Sequence, residues 1–372
     1  MRSTWFVLSP CGTSLLNNAC TGDEERRAVT DNTNVKERDQ VSPAARTVLD
    51  TLIERVGSKL RGADRAQAAR MSAELNGITA LYREAGAGDS RPDMHQLLAT
   101  DTWLGETTAQ LVAEWLRGEG FTVDLRRQTD LRTVELSEFQ AALSDVVRWA
   151  EETLPGYRQE KYHVIFNLTG GFKSVQGFLQ TLATFYADEA VYIFETGSLL
   201  RIPRLPVKMA GESTVMEHLV AFRRLSSRLE VAARETESIP ETLLMKLDGG
   251  ICLSEWGELV WRQTSRALYE QKVWPSPSDR LRYGERFRKS VEGLSGERFR
   301  LVNERIDQLA KCLESGGTYN PQSLDLKPLR GDPAPPSTHE ADAWADQDAK
   351  RLFGHYVGEA FVLDKLDRPL HH

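Results

Sequence analysis

Two stretches of this 372-residue chain carry residue types that could do chemistry. The first is Asn167-Leu168-Thr169-Gly170-Gly171-Phe172-Lys173-Ser174, small hydrogen-bonding residues ending in a cation. Glycines let a backbone approach a phosphate, a helix opening at Lys173 would present free N–H groups, and the lysine adds positive charge. GxxxxGK[ST] and GxGxxG are both absent, so neither a Walker A loop nor a dinucleotide fingerprint is present. Two further polar clusters, Gly12-Thr13-Ser14 with Asn17 and Thr100-Asp101-Thr102, follow strand-like runs. A single such cluster also fits an ordinary tight turn; three together point to a binding site. The second stretch is the locally basic Arg280–Lys311 toward the C-terminus, whose cations could meet phosphates or simply face water.

The elements that must position these residues are visible in the pattern. Up to about residue 210, strand-like runs at Thr4–Ser9, Leu97–Asp101, Phe121–Leu125, Tyr162–Asn167 and Ala190–Glu195 alternate with helical spacing. Helices are predicted over Ala44–Leu60, Arg65–Arg83, Thr107–Arg117, Ser137–Glu151 and Lys173–Ala187, with Ser137 and Gln140 forming a capping box. Such alternation predicts a Rossmann-like α/β fold, a parallel sheet covered on both faces, with ligands beyond the strands' carboxyl ends. Glu212–Glu237 is an amphipathic stretch, and Glu241–Leu247 with Leu253–Tyr269 suggests a small, mostly helical or winged-helix-like module. Val273–Ser278 reads as a linker. The remainder predicts helices over Leu281–Ser290 and Glu297–Glu314, then strands over Leu324–Leu329, Thr338–Ala345, Ala349–Tyr356 and Phe361–Leu366, an α+β arrangement. The expected divisions are 1–210, 211–278 and 279–372.

The formal net charge is −7, which argues against a broad basic surface. Its distribution matters more. From Arg280 onward, 15 Lys and Arg balance 15 Asp and Glu, so the excess acidity falls in the earlier residues. Arg280–Lys311 is locally basic, which a solvated helix face would explain as well as a nucleic-acid surface. No apolar run suggests a membrane span or signal peptide, and Cys11, Cys20, Cys252 and Cys312 form no CxxC pair. A cytoplasmic protein without membrane, metal or disulfide framework is expected.

SPCGTSLLNN at the start, SAELNGI at Ser72–Ile78, ATDT at Ala99–Thr102, NLTGGFKS and ETGSLLRIPRLPV at Glu195–Val207 together resemble the CRISPR-associated Rossmann-fold (CARF) sensor domain. That resemblance, over about residues 1–208, implies a homodimer binding a cyclic oligoadenylate, most often the tetramer, across its two-fold axis. It implies ligand contacts from Gly12, Thr13, Ser14, Asn17, Asn76, Thr169, Gly170, Gly171 and Lys173. A C2 dimer presents each loop twice to a symmetric ring of phosphates.

The last segment resembles the RelE family of mRNA interferases in its two leading helices, KPLRG at Lys327–Gly331, Lys350-Arg351-Leu352-Phe353 and a terminal histidine. It implies metal-free cleavage of mRNA in the ribosomal A site by a ribose 2′-hydroxyl. Lys327 and Arg330 would contact phosphate, with Lys327 a base only if neighbouring cations lower its pKa. Arg351 would stabilise the transition state, His371 would be the general acid, and His339 and His355 are further candidates. Each histidine taken alone reads equally well as a surface residue, and His371-His372 also as the remnant of a tag. His339-Glu340-Ala341-Asp342 departs from the family pattern by placing acids where basic residues are usual. The reading is therefore a type III CRISPR ancillary effector for antiviral defence. Cyclic tetra-adenylate would activate it to cleave mRNA on the ribosome, with no other cofactor and no DNA partner. Two alternatives stand beside it. One is a metal-dependent PD-(D/E)xK nuclease using Asp325-Leu326-Lys327, and the other a ligand-gated winged-helix transcription regulator.

Overall fold

The structure is a computed structural model describing residues 3–86, 92–195, 197–206, 211–247, 249–329 and 335–370. The chain divides into two compact units, Met1–Lys208 and Met209–His372.

The first unit runs β1 (Trp5–Cys11), α1 (Ser14–Asn17), α2 (Asp23–Asp31), α3 (Pro43–Arg61), α4 (Arg65–Met71), α5 (Ala73–Glu84), β2 (Met94–Ala99), α6 (Trp103–Gly118), β3 (Thr122–Arg127), α7 (Leu136–Gln159), β4 (His163–Asn167), α8 (Lys173–Tyr186), β5 (Glu189–Ile193) and β6 (Leu199–Pro203). The sheet order is β3-β2-β1-β4-β5-β6, parallel except for the antiparallel edge strand β6. This is compatible with a Rossmann-like fold. Its strand order reverses between β1 and β4, so the ligand crevice of such a sheet lies beyond Cys11 and Asn167. All seven β1 residues are buried, as a central strand covered on both faces requires.

Several boundaries differ from the expected ones for identifiable reasons. The predicted helix Arg65–Arg83 breaks at Ser72, whose extended backbone lets its hydroxyl accept the Leu75 N–H at 3.3 Å and cap α5. The Ser137 capping box does not form: α7 starts one residue earlier, and Ser137 donates instead to Glu135 Oε1 at 3.3 Å.

The second unit runs α9 (Glu212–Glu217), α10 (Leu219–Ser226), the hairpin β7 (Leu244–Leu247) and β8 (Gly250–Leu253), α11 (Glu255–Tyr269), β9 (Leu281–Tyr283), α12 (Glu285–Ser290), α13 (Gly296–Glu314), β10 (Lys327–Pro328), β11 (His339–Trp344), β12 (Lys350–Val357) and β13 (Ala360–Asp367). The sheet order β10-β11-β12-β13-β9 is antiparallel except where β9 joins β13 in parallel. Leu281–Tyr283, expected as the start of a helix, is this edge strand, and only Lys327–Pro328 of the expected Leu324–Leu329 strand pairs.

Val273–Ser278 is not a free linker. Trp274 is buried, its backbone N–H donates to Asn303 Oδ1 at 2.9 Å and its indole N–H to the Leu268 carbonyl at 2.8 Å. Asn303 also donates to the Tyr269, Lys272 and Phe299 carbonyls, so this buried amide is fully used. Beside it, Arg223 of α10 has no exposed surface and pairs with Asp307 of α13 at 2.6 Å, while the Tyr269 hydroxyl donates to the same carboxylate. Burial opposes charge on Arg223, but Asp307, Tyr269 and Tyr283 outweigh it and its pKa rises; burial pushes Asp307 up.

Breaking this pair by Arg223→Met should cost about 3–5 kcal/mol in urea denaturation, because the largely buried Asp307 loses its countercharge and keeps only the Tyr269 hydroxyl. Adding Asp307→Leu should recover most of that loss. A second prediction concerns His95 of β2, which is fully buried. Tyr82 donates to Asp93 at 3.0 Å, His95 Nε2 meets the Tyr82 oxygen at 2.9 Å, and His95 Nδ1 has no partner. Burial drives the His95 pKa down to about 4, with Asp93 opposing. Because the folded pKa lies below the unfolded one, stability is fully present above about pH 6.5 and falls by up to about 3 kcal/mol toward pH 4. His95→Gln should flatten that part of the urea-midpoint profile against pH.

Candidate functional site

At the switch point of the first sheet, one buried carboxylate organises both loops. Glu74, on the first turn of α5, has no exposed surface. Its Oε1 accepts the Gly12 N–H at 3.0 Å, and its Oε2 accepts the Ser14 and Ser72 hydroxyls, each at 2.6 Å. Ser14 Oγ in turn accepts the Ala73 N–H at 3.1 Å. Gly170 packs on this carboxylate so closely that a Cβ there would lie 2.5 Å from Glu74 Oε1. Buried Asn167 completes the junction by donating to Ser9 Oγ at 3.2 Å and the Glu74 carbonyl at 3.1 Å. Gly171 adopts φ +91°, and its missing Cβ leaves room for Pro10.

The expected ligand residues therefore fall into separate roles. Gly12, Thr13, Ser14, Thr169, Gly170, Gly171 and Lys173 sit on the adjoining carboxyl-end loops of β1 and β4. Gly12 N–H and the Ser14 hydroxyl are, however, already given to Glu74. Thr169 Oγ1 accepts the Ile193 N–H at 3.2 Å, and Asn17 Nδ2 donates to Thr13 Oγ1 at 3.2 Å. The positive character comes from α8, which begins at exposed Lys173 with no side-chain cap and no acidic residue in its first turn. Free N–H groups and an ammonium at one helix start favour an anion there. Asn76 lines a cavity of about 490 Å³ with Asn18, Ser72, Arg70 and Arg83. Both arginines, and Glu74 itself, escaped the sequence reading. Ser72-x-Glu74 directly before the helical Leu75–Leu81 pattern is the available signal for the latter.

The third polar strand end does not join the site. Asp101 pairs with Lys36 at 2.8 Å and Arg127 at 2.8 Å and accepts the Asp130 N–H; burial raises its pKa, but these partners hold it below the ordinary carboxylate value. Thr102 caps α6 through the Gly105 N–H at 3.1 Å, and Thr100 hydrogen-bonds Thr102 at 3.0 Å. These groups are consumed internally.

In the second unit, sheet alternation sorts the C-terminal candidates. Leu352 and Ala341 pair in register and belong to the core under α12 and α13. Arg351 and His355, odd-numbered neighbours on β12, consequently lie on the face away from those helices. Lys327 joins that face, because it is paired with Glu340, which is in turn paired with Phe353. His339 does not. Its ring meets Tyr356 at 5.1 Å and Phe361 at 6.1 Å, on the helix side, and burial lowers its pKa. Arg330 and His371 lie outside the described residues.

Lys327, Arg351 and His355 each have a carboxylate, whereas exposed Arg282 of β9, in register with Val362 beside His355, shares this face with no acid paired to it among the described residues. Lys327 is bound by Asp325, and Arg351 by Glu340, with Asp342 at 3.2 Å from its Nε. His355 Nδ1 lies 2.9 Å from Asp364 Oδ2, which also accepts the Ser337 hydroxyl at 2.8 Å. The acids at Glu340 and Asp342, which departed from the expected family pattern, are thus the partners of Arg351. A β-bulge between Phe353 and Gly354 places Asp364 within reach of His355, and Gly354 is needed there: a Cβ would meet Phe361 Cε1 and the Val362 carbonyl, each at 2.5 Å. Among the described residues no group of three or more His, Cys, Asp and Glu is arranged to hold a metal ion.

The first unit is thus a parallel α/β domain with an anion-favouring junction at its topological switch point. Residues 69–205, from α4 through β6, match the family model described as CRISPR-associated protein (Cas_APE2256), which supports a CRISPR-associated protein. No curated protein matches the chain. No described helix is long and apolar enough to cross a membrane.

Glu74→Ala should strand three buried donors and cost about 2–4 kcal/mol in urea denaturation. Glu74→Gln should cost much less, because its carbonyl can still accept the Gly12 N–H while its amide donates to the two hydroxyls. An equal loss in both variants would show that charge, not hydrogen bonding, holds the junction.

Proposed function

We propose that this chain is a type III CRISPR ancillary effector, a homodimer in which a CARF-like sensor controls a RelE-like ribonuclease. Cyclic tetra-adenylate binds the sensor, and the C-terminal sheet then cleaves mRNA in the ribosomal A site without metal. The observation that carries the reading is the family match over residues 69–205, which takes in β2 to β6 and the β4 end of the anion-favouring junction, though not β1. The face holding Lys327, Arg351 and His355 supports the effector half, since it combines phosphate-binding cations with a proton-transfer group. Activation requires the ligand to bind the active arrangement more tightly than the resting one.

Translating ribosomes incubated with the protein, with and without cyclic tetra-adenylate, test the reading. Codon-phased mRNA cuts only with the ligand are expected. Equal cleavage of naked RNA, or a requirement for added divalent metal, overturns it in favour of a PD-(D/E)xK-type nuclease, and ligand-dependent binding of operator DNA in favour of a regulator. Lys173→Ala should raise the ligand concentration needed while preserving the fully activated rate. Arg351→Ala should keep ligand binding and lose about two orders of magnitude or more in cleavage.

A further inference from the structure

We infer that Asp364 and His355 form a carboxylate–imidazole dyad, held by Ser337, in which His355 Nε2 is the group that takes the 2′-hydroxyl proton from bound RNA. The inference rests on the RNA-cleaving reading above and adds to it the identity of the base and of the two residues that position it.

The geometry separates this histidine from the others. His355 Nδ1 is 2.9 Å from Asp364 Oδ2, and that carboxylate is 8% exposed. Ser337, itself 1% exposed, donates to the same oxygen at 2.8 Å, so the acid cannot turn away from the ring. A neutral imidazole beside a carboxylate keeps its proton on Nδ1, where it donates to the acid, and leaves the Nε2 lone pair free. The His355 side chain remains about a quarter exposed on the helix-free face, so Nε2 is accessible to a substrate while Nδ1 is fixed from within. His339 lacks this arrangement: its Nδ1 meets only the neighbouring Thr338 hydroxyl at 2.9 Å, and its ring packs on Tyr356. Lys327 is engaged by Asp325, which leaves its ammonium bound to an acid.

Arg351 lies four residues away on the same face of β12, roughly 13 Å along the strand. Its guanidinium is held by Glu340 and Asp342 of β11, and Phe353 stands between it and His355 on that face, so a phosphate that reached it would displace those acids. Asp364 on β13 contacts His355, with Ser337 behind the acid, and the nearest cation by register on that face is Arg282 of β9, paired with Val362, which is itself paired with His355.

The step balances without cofactor or oxidant. The 2′-hydroxyl gives its proton to His355 Nε2 as the O2′–P bond forms. The P–O5′ bond breaks, and water protonates the departing 5′-oxygen. The hydroxide so formed takes back the proton from the imidazolium. The products are a 2′,3′-cyclic phosphate and a 5′-hydroxyl end, and the enzyme is regenerated.

The test uses the full-length protein, cyclic tetra-adenylate and ribosomes stalled on a defined mRNA, with thermal melting to show that each variant folds. His355→Ala should lower kcat by about 100-fold or more with unchanged KM for ribosomes, on the scale of a lost general base, and added imidazole should restore part of the rate. Asp364→Asn should also lower kcat at unchanged KM, because an amide can donate to Nδ1 and put the proton on Nε2. Its loss should not be rescued by imidazole, since the ring is still in place. His355→Ala cleaving at the wild-type rate, or both variants losing activity only in proportion to lost folded protein, overturns the dyad while leaving the ribonuclease reading intact. Wild-type protein that leaves ribosomal mRNA whole in the presence of activator overturns both.

Discussion

Everything about the junction in the first unit depends on burying one negative charge. A carboxylate removed from water is tolerable only if donors replace its hydration. Glu74 meets that condition with a backbone amide from the loop after β1 and two hydroxyls, Ser14 at the start of α1 and Ser72 at the α4–α5 break. The consequence is mutual: the loops are held because the charge must be satisfied, and the charge is tolerated because the loops are held. Gly170 could carry no side chain without displacing the acid. The same arrangement removes Gly12 and Ser14 from the pool of donors that an anionic ligand could use. What remains for such a ligand is the start of α8 with Lys173, and the arginines beside Asn76.

The second unit solves a different electrostatic problem. Of the basic residues on its helix-free sheet face, Lys327, Arg351 and His355 are each held by an acid on the same or an adjoining strand, and Arg282 is the exposed exception. A surface built this way does not attract nucleic acid indiscriminately, which agrees with a chain whose net charge is −7. An anion would have to compete with Glu340 and Asp342 for Arg351.

The alternation of the first 200 residues was legible because each strand and helix is internally consistent in period, and the NLTGGFKS loop marked the β4 end directly. Glu74 was not legible, since a glutamate in the first turn of a helix ordinarily faces water. Only the three-dimensional meeting of Gly12, Ser14 and Ser72 reveals otherwise. The Thr100–Thr102 cluster misled for the converse reason: its composition suited a ligand, but Lys36 and Arg127, distant in sequence, had already claimed Asp101. His339 and His355 looked equivalent as residue types. Strand parity and the bulge at Gly354 separate them, and neither property can be counted until the register of β11 against β12 is known. Val273–Ser278 reads as a connector because of its prolines and serines, and only Asn303, some thirty residues on, turns it into part of the core.

That clamp also determines what can be inherited or exchanged as a block. Because Trp274 is anchored by α13 and Arg223 reaches Asp307, the C-terminal sheet does not begin at residue 279 in any physical sense; its fold takes in α10 and α11 as well. A recombination at residue 279 would deprive Asp307 of Arg223 and Tyr269 and leave Asn303 with the Phe299 carbonyl alone. A junction near residue 209 would cut through neither. The piece that can move intact is the whole second unit, 209–372, with its helical module carried along.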